Sequence, residues 1–132
     1  MKLITSQHFA GLSKRAKFEI CNGTGSAGTP QWIVSILDSF DGLGINFRDC
    51  SDRHDCGYYF AKTHIQKIKA DCIFFLNMMI VSINACLTLP ISNTVGNVIF
   101  LPFRAVRASM YFTAVFVFGW LAWKPNTGHK IK

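Results

Sequence analysis

At 132 residues the chain has room for one domain with a modest core, and little for a second. Its formal net charge is +7, yet all 7 acidic residues lie at or before Asp71 and every charge beyond it is basic. From Cys72 to Phe103 no side chain is charged, which argues against an ordinary small soluble domain; the expected partner is a phospholipid membrane, an anionic one, and not nucleic acid.

Lys2-Leu3-Ile4 gives way at once to Thr5, Ser6, Gln7 and His8, so no cleavable secretory signal is recognised. Residues 5–20 set Phe9, Leu12, Ala16, Phe18 and Ile20 against Lys14, Arg15 and Lys17, a short, weakly amphipathic helix. It reads as a packed helix with a solvated basic edge, with docking to a membrane surface as the other reading. The stretch from Cys21 to Pro30 holds Gly23, Gly25 and Gly28 and reads as an exposed loop. Trp32 to Leu37 is short and apolar, either a strand or one helical turn, and Asp38 to Asn46 is a second glycine-containing loop.

From about Asp49 to Lys69 the pattern favours a helix, broken or bent near Thr63-His64, with a second helix running on from about Ile65 through Asp71. A short connection makes such helices antiparallel neighbours, which would bring Asp71 back against His54. Ile73 to Ile91 is then an apolar run interrupted by Asn77, Ser82, Asn84 and Thr88. Ala108 to Trp123 is a second, ended by Trp120, Trp123 and Lys124, as a membrane boundary prefers. Arg104 and Arg107 are expected in the connection, near lipid phosphates. The apolar half has three readings: a buried helical hairpin, membrane-spanning or membrane-inserted helices, and an oligomer interface. The expected fold is all-α, with a catalytic region over residues 1–79 and a hydrophobic, membrane-associated helical region over 80–132.

The chemistry concentrates in Arg53-His54-Asp55-Cys56-Gly57-Tyr58. On a helix His54 and Tyr58 share a face, and Asp55 lies about 100° round from His54, within reach of a metal beside the imidazole. If Asp71 accepts a hydrogen bond from one ring nitrogen, the tautomer is fixed and the other nitrogen can take a proton from water. Asp55 and glycine-loop carbonyls are hard oxygen donors that suit calcium better than zinc. A zinc set of Cys50, His54, Cys56 and His64 is disfavoured, because Cys56 points away from the face that Cys50 and His54 share. A structural His–Asp pair with no catalytic role is the plain alternative, and Phe74, Phe75 and Met79 are either simple core or the lining of an acyl channel.

These residues resemble the calcium-dependent secreted phospholipase A2 superfamily, its bacterial and fungal branch especially. The resemblance rests on Cys50, His54, Asp55 and Tyr58; on the loop Gly23 to Pro30; and on Asp71 followed by Phe74 and Met78, covering roughly residues 21 to 79. It implies hydrolysis of a phospholipid ester, with His54 as general base, Asp71 as its orienting partner and Tyr58 holding Asp71 by its hydroxyl. It further implies calcium on Asp55 and on the carbonyls of Cys21, Gly23 and Gly25, with the Gly23 amide as oxyanion donor. Disulfides between Cys21 and Cys50, and between Cys56 and Cys72, would follow the family's habit. Asp41-Gly42-Leu43-Gly44 is a competing calcium loop, and the apolar stretch 73–123 is foreign to the secreted enzymes. The alternative function is a catalytically inactive, phospholipase-like protein that inserts into or permeabilises membranes, and attack on another cell's membranes is one use for either.

Overall fold

The computed structural model describes residues 2–21, 32, 35, 45–88 and 91–123. Helices are the only regular elements among them: α1 (Gln7–Gly11), α2 (Lys14–Ile20), α3 (Arg48–Phe60), α4 (His64–Thr88) and α5 (Ile91–Ala122). The all-α expectation holds. The single amphipathic helix expected over residues 5–20 is two short ones, because serine starts each of them. Ser6 Oγ accepts from the Phe9 amide at 3.1 Å and Ser13 Oγ from the Ala16 amide at 3.2 Å, each filling an otherwise orphaned donor of a first turn.

The expected break at Thr63-His64 is present as Ala61–Thr63, between α3 and α4. Thr63 Oγ1 accepts from the Gln66 amide at 3.3 Å, so α4 begins with a side-chain cap of its own. α3 then runs back along α4, and the two approach most closely at Gly57, where an added Cβ would lie 2.9 Å from Ala70 Cβ. Glycine in the Arg53–Tyr58 motif is therefore a packing requirement of the α3–α4 crossing.

The second apolar helix starts well before Ala108. α5 begins at Ile91 and passes through Pro102, so Arg104 and Arg107 lie inside a helix and not in a connection. Both are buried: Arg107 Nη1 donates to the Ile45 carbonyl at 3.1 Å beneath the Phe47 and Tyr111 rings, and Arg104 Nη1 reaches Cys86 Sγ at 3.5 Å. Folding the guanidinium groups into the helix packing removes them from the lipid-phosphate role expected of them.

The main core gathers Ile45, Phe47 and Cys50 beneath Phe74 and Met78 of α4 and Ala108, Tyr111 and Ala114 of α5. A smaller cluster joins Phe9 and Ile20 to Cys56 on the other side of α3. The expected division after residue 79 falls within unbroken α4, and the main core draws on both sides of it. The N-terminal segment is fastened to α4 by Asn77, whose Oδ1 accepts from the Ile4 amide at 2.7 Å and whose Nδ2 donates to the Ile4 carbonyl at 3.0 Å. A buried carboxamide thus satisfies both backbone groups of one residue and is itself satisfied, which explains how Asn77 is tolerated in an apolar run.

Candidate functional site

α3 and α4 bring His54 and Asp71 together: His54 Nε2 lies 2.9 Å from Asp71 Oδ1, and the carboxylate is fully enclosed. The ring is held between Tyr58 and Phe74, with centroids 4.3 and 4.7 Å away. His54 Nδ1 faces Asp55 Oδ1 at 3.7 Å, too long for a hydrogen bond but close for an ionic contact. Burial is the largest influence on the imidazole and disfavours its charged form. The Asp55 and Asp71 carboxylates outweigh it and hold the ring above its ordinary value of 6.5.

Asp55 has one oxygen to spare. Its Oδ2 is buried and has no hydrogen-bond partner among the described residues. Cys21, which opens the glycine-rich stretch, lies beside this part of α3: its thiol donates to the Asp52 carbonyl at 3.3 Å. Burial, then the charges of Asp52 and Asp55, push that thiol up to about 11. Burial and the Asp55 charge also raise Asp52 above its ordinary value. An orphaned carboxylate oxygen is the kind of donor a hard cation satisfies, so Asp55 Oδ2 is one oxygen ligand of the type calcium takes. Gly23, Gly25 and the competing loop Asp41–Gly44 lie outside the described residues.

No group of three or more His, Cys, Asp or Glu side chains among the described residues converges on a metal. The alternative zinc set is dispersed: Cys50 lies in the main core, Cys56 in the smaller one, and His64 is stacked on Trp120 at the start of α4. The five cysteines are free thiols. Neither disulfide of the resemblance is formed: Cys21 packs with the Cys56 cluster, Cys72 is exposed on α4, and burial in the core pushes the Cys50 thiol up to about 12.

Tyr58 stands next to Asp71 as expected, close enough for the carboxylate to act on its hydroxyl, which also donates to the Val115 carbonyl of α5 at 3.3 Å. Burial, followed by the Asp71 carboxylate, holds the phenol well above its ordinary value of 10.0, so it stays protonated.

The residue that sequence reasoning missed is Lys67. Its ammonium meets Asp71 Oδ2 at 2.7 Å, with both side chains fully enclosed, and donates to the Phe116 carbonyl at 3.4 Å. The rings of Tyr58, Phe116 and Trp120 surround it with centroids at 5.3, 5.3 and 5.9 Å, within cation–π range. Gly119 closes this cage: a Cβ there would collide with the Tyr58 hydroxyl and stand 3.4 Å from Lys67 Nζ. The signal was present, since lysine four residues before aspartate on a helix is a pairing distance. Nothing local, however, indicates that α5 covers the pair. Asp71 therefore serves two cations or potential cations, one carboxylate oxygen each.

No protein-family model, curated protein or solved structure matches the chain.

Proposed function

We propose that this chain is a membrane-associated, calcium-dependent hydrolase of glycerophospholipid esters, phospholipase A2-like in its machinery. The observation that carries the reading is the division of labour around the His54 ring: Asp71 takes Nε2 at 2.9 Å, and Nδ1 is turned toward Asp55. With Nε2–H donated to Asp71, Nδ1 is the basic nitrogen and the one that takes a proton from an attacking water. Asp71, anchored from behind by Lys67, fixes the tautomer and stabilises the imidazolium that results. Protonated Tyr58 lines the carboxylate and stays out of the proton transfer. Asp55 Oδ2, with the carbonyls of Cys21, Gly23 and Gly25, would hold the metal, and calcium bound there would polarise the ester carbonyl. α4 and α5 each contain a stretch long and apolar enough to cross a membrane, which supports the membrane part of the reading.

A second reading, a silent phospholipase-like protein that anchors in or permeabilises membranes, is favoured by the cover over His54, which is only 6% exposed beneath Tyr58 and Phe74. Fatty-acid release from mixed phospholipid vesicles, with calcium and with chelator, separates the two. The hydrolase reading expects release that chelator abolishes and that His54→Gln lowers by about 10²-fold or more. Release unaffected by both changes would sink it, and dye leakage without fatty acid would establish the second reading.

A further inference from the structure

The exposed apolar residues of the α4–α5 hairpin are arranged in stripes. On α4 the large ones are Ile65, Leu76, Ile83 and Leu87; on α5 they include Ile99, Phe103, Val106, Met110 and Val117. At 100° per residue each set returns to one side of its helix over the described residues, with Phe100 standing off the α5 stripe. Buried residues occupy the other side: Ala70, Phe74 and Met78 on α4, where α3 packs, and Ala108 and Tyr111 on α5. Only 28% of each apolar window is buried, so most of each helix's apolar surface is left uncovered.

Two of the polar residues on the α5 side of this surface are satisfied by their own helix. Exposed Ser109 and Thr113 turn their hydroxyls back onto the carbonyls of Ala105 and Ser109 at 2.9 and 2.8 Å. Protein interfaces carry about one hydrogen bond per 100–200 Å² and a polar rim. A surface whose hydroxyls are satisfied by their own helix suits hydrocarbon instead. Lys69, an exposed charge near the start of the α4 stripe, has a stem long enough to reach headgroups.

Two orientations in lipid remain, and α3 decides between them. It lies lengthwise against α4, with Gly57 at Ala70, His54 at Asp71 and Phe74, and Cys50 in the cluster of Phe74 and Met78. α3 carries Arg48, Asp49, Asp52, Arg53 and Asp55, none of them fully buried. Standing the hairpin across a bilayer would carry those charges into hydrocarbon, at about 2.5–3.5 kcal/mol each for Asp or Arg at the centre of a helix on insertion scales. Laying it flat keeps them in water. We infer that α4 and α5 lie side by side in the plane of one leaflet, apolar stripes down and α3 above, so that the occupant of this face is the acyl region of a lipid monolayer. This rests on the membrane part of the function proposed above and is independent of hydrolysis.

Depth-dependent quenching of tryptophan by brominated lipids tests it, in vesicles of phosphatidylcholine and phosphatidylglycerol with bromines at shallow or deep acyl positions. Three full-length proteins are compared, each with one indole: native Trp120 with Trp32→Phe and Trp123→Phe, and Met110→Trp or Phe103→Trp with all three native tryptophans changed to Phe. Positions 103 and 110 are surface sites, and circular dichroism checks that each variant folds. The expected result is equal, shallow depth for all three, unchanged by adding His54→Gln. A Met110→Trp signal deepest of the three, with the others shallow, means a spanning hairpin and overturns the inference. So does an unquenched protein that stays in solution as an oligomer, since a second copy would then cover the face. Absence of chelator-sensitive fatty-acid release from the parent protein, with equal shallow depth, would reject the hydrolase and leave the inference standing.

Discussion

Asp71 sits fully enclosed between an imidazole and an ammonium, and the ammonium is what makes a buried carboxylate there tolerable. An ion pair removed from water gains little over apolar residues of the same shape, but breaking it strands a charge. Lys67→Met is therefore expected to destabilise the protein by about 3–5 kcal/mol, read by thermal or urea unfolding in mild detergent. Adding Asp71→Asn should recover part of that loss, because the stranded charge is removed with its partner. Equal and additive losses would mean that Lys67 contributes packing alone. His54 supplies the pH dependence. Its folded-state value lies above 6.5, so the stability it contributes is fully present below pH 6.5 and is lost as pH rises through the folded value. In chelator, the unfolding midpoint of the parent should fall more steeply over that rise than the midpoint of His54→Gln; parallel curves would contradict the charged carboxylate environment assigned to the ring.

At the scale of elements, the crossing of α3 over α4 sets the reach from His54 to Asp71, and Gly57 sets the crossing. With Ala70 Cβ 2.9 Å from where a side chain would start, Gly57→Ala must push the helices apart or bend one of them. The expected cost is about 1–3 kcal/mol, with a larger loss in fatty-acid release than the stability change alone accounts for, because the ring and carboxylate separate. Wild-type release from a folded Gly57→Ala protein would show that the spacing has slack. The helix pair itself was legible in the sequence, since the break at Thr63-His64 and the run onward from Ile65 fix two neighbours, and from them the meeting of His54 with Asp71. The contribution of α5 was not. Val115 accepting from Tyr58, Phe116 and Trp120 around Lys67, and Gly119 making room for both are contacts between residues about fifty positions apart, and an apolar helix carries no local mark of which face it will turn to a charge. The burial of Arg104 and Arg107 was hidden for a related reason. Read locally, two arginines after an uncharged run, with Pro102 just before them, mark the end of an apolar segment; only the extension of α5 from Ile91 places them among rings and carbonyls.

At the scale of the whole molecule, the contrast between an acid-bearing first half and an acid-free second half becomes a contrast between two sides of one layered structure. α3 and the two short helices form the charged upper side, α4 and α5 the apolar lower side, and the His54–Asp71–Lys67 line is sandwiched at their junction. The charge pattern alone separates the chain into halves along its length. It does not reveal that the halves are stacked, because stacking depends on α3 folding back over α4 instead of extending away from it.

The two hydrogen bonds from Asn77 to Ile4 bear on the order in which this layered structure assembles. They join residues 73 apart in sequence, whereas His54 and Asp71 are 17 apart. Closing the longer loop costs about 1.3 kcal/mol more in chain entropy by logarithmic scaling, and Asn77 receives Ile4 only once α4 has formed. By that measure the helical pair that carries His54 and Asp71 is cheaper to close than the tie of Ile4 to Asn77, and the N-terminal segment is expected to dock after it; hydrogen-exchange protection of the Ile4 amide appearing before that of α3 and α4 would contradict the order.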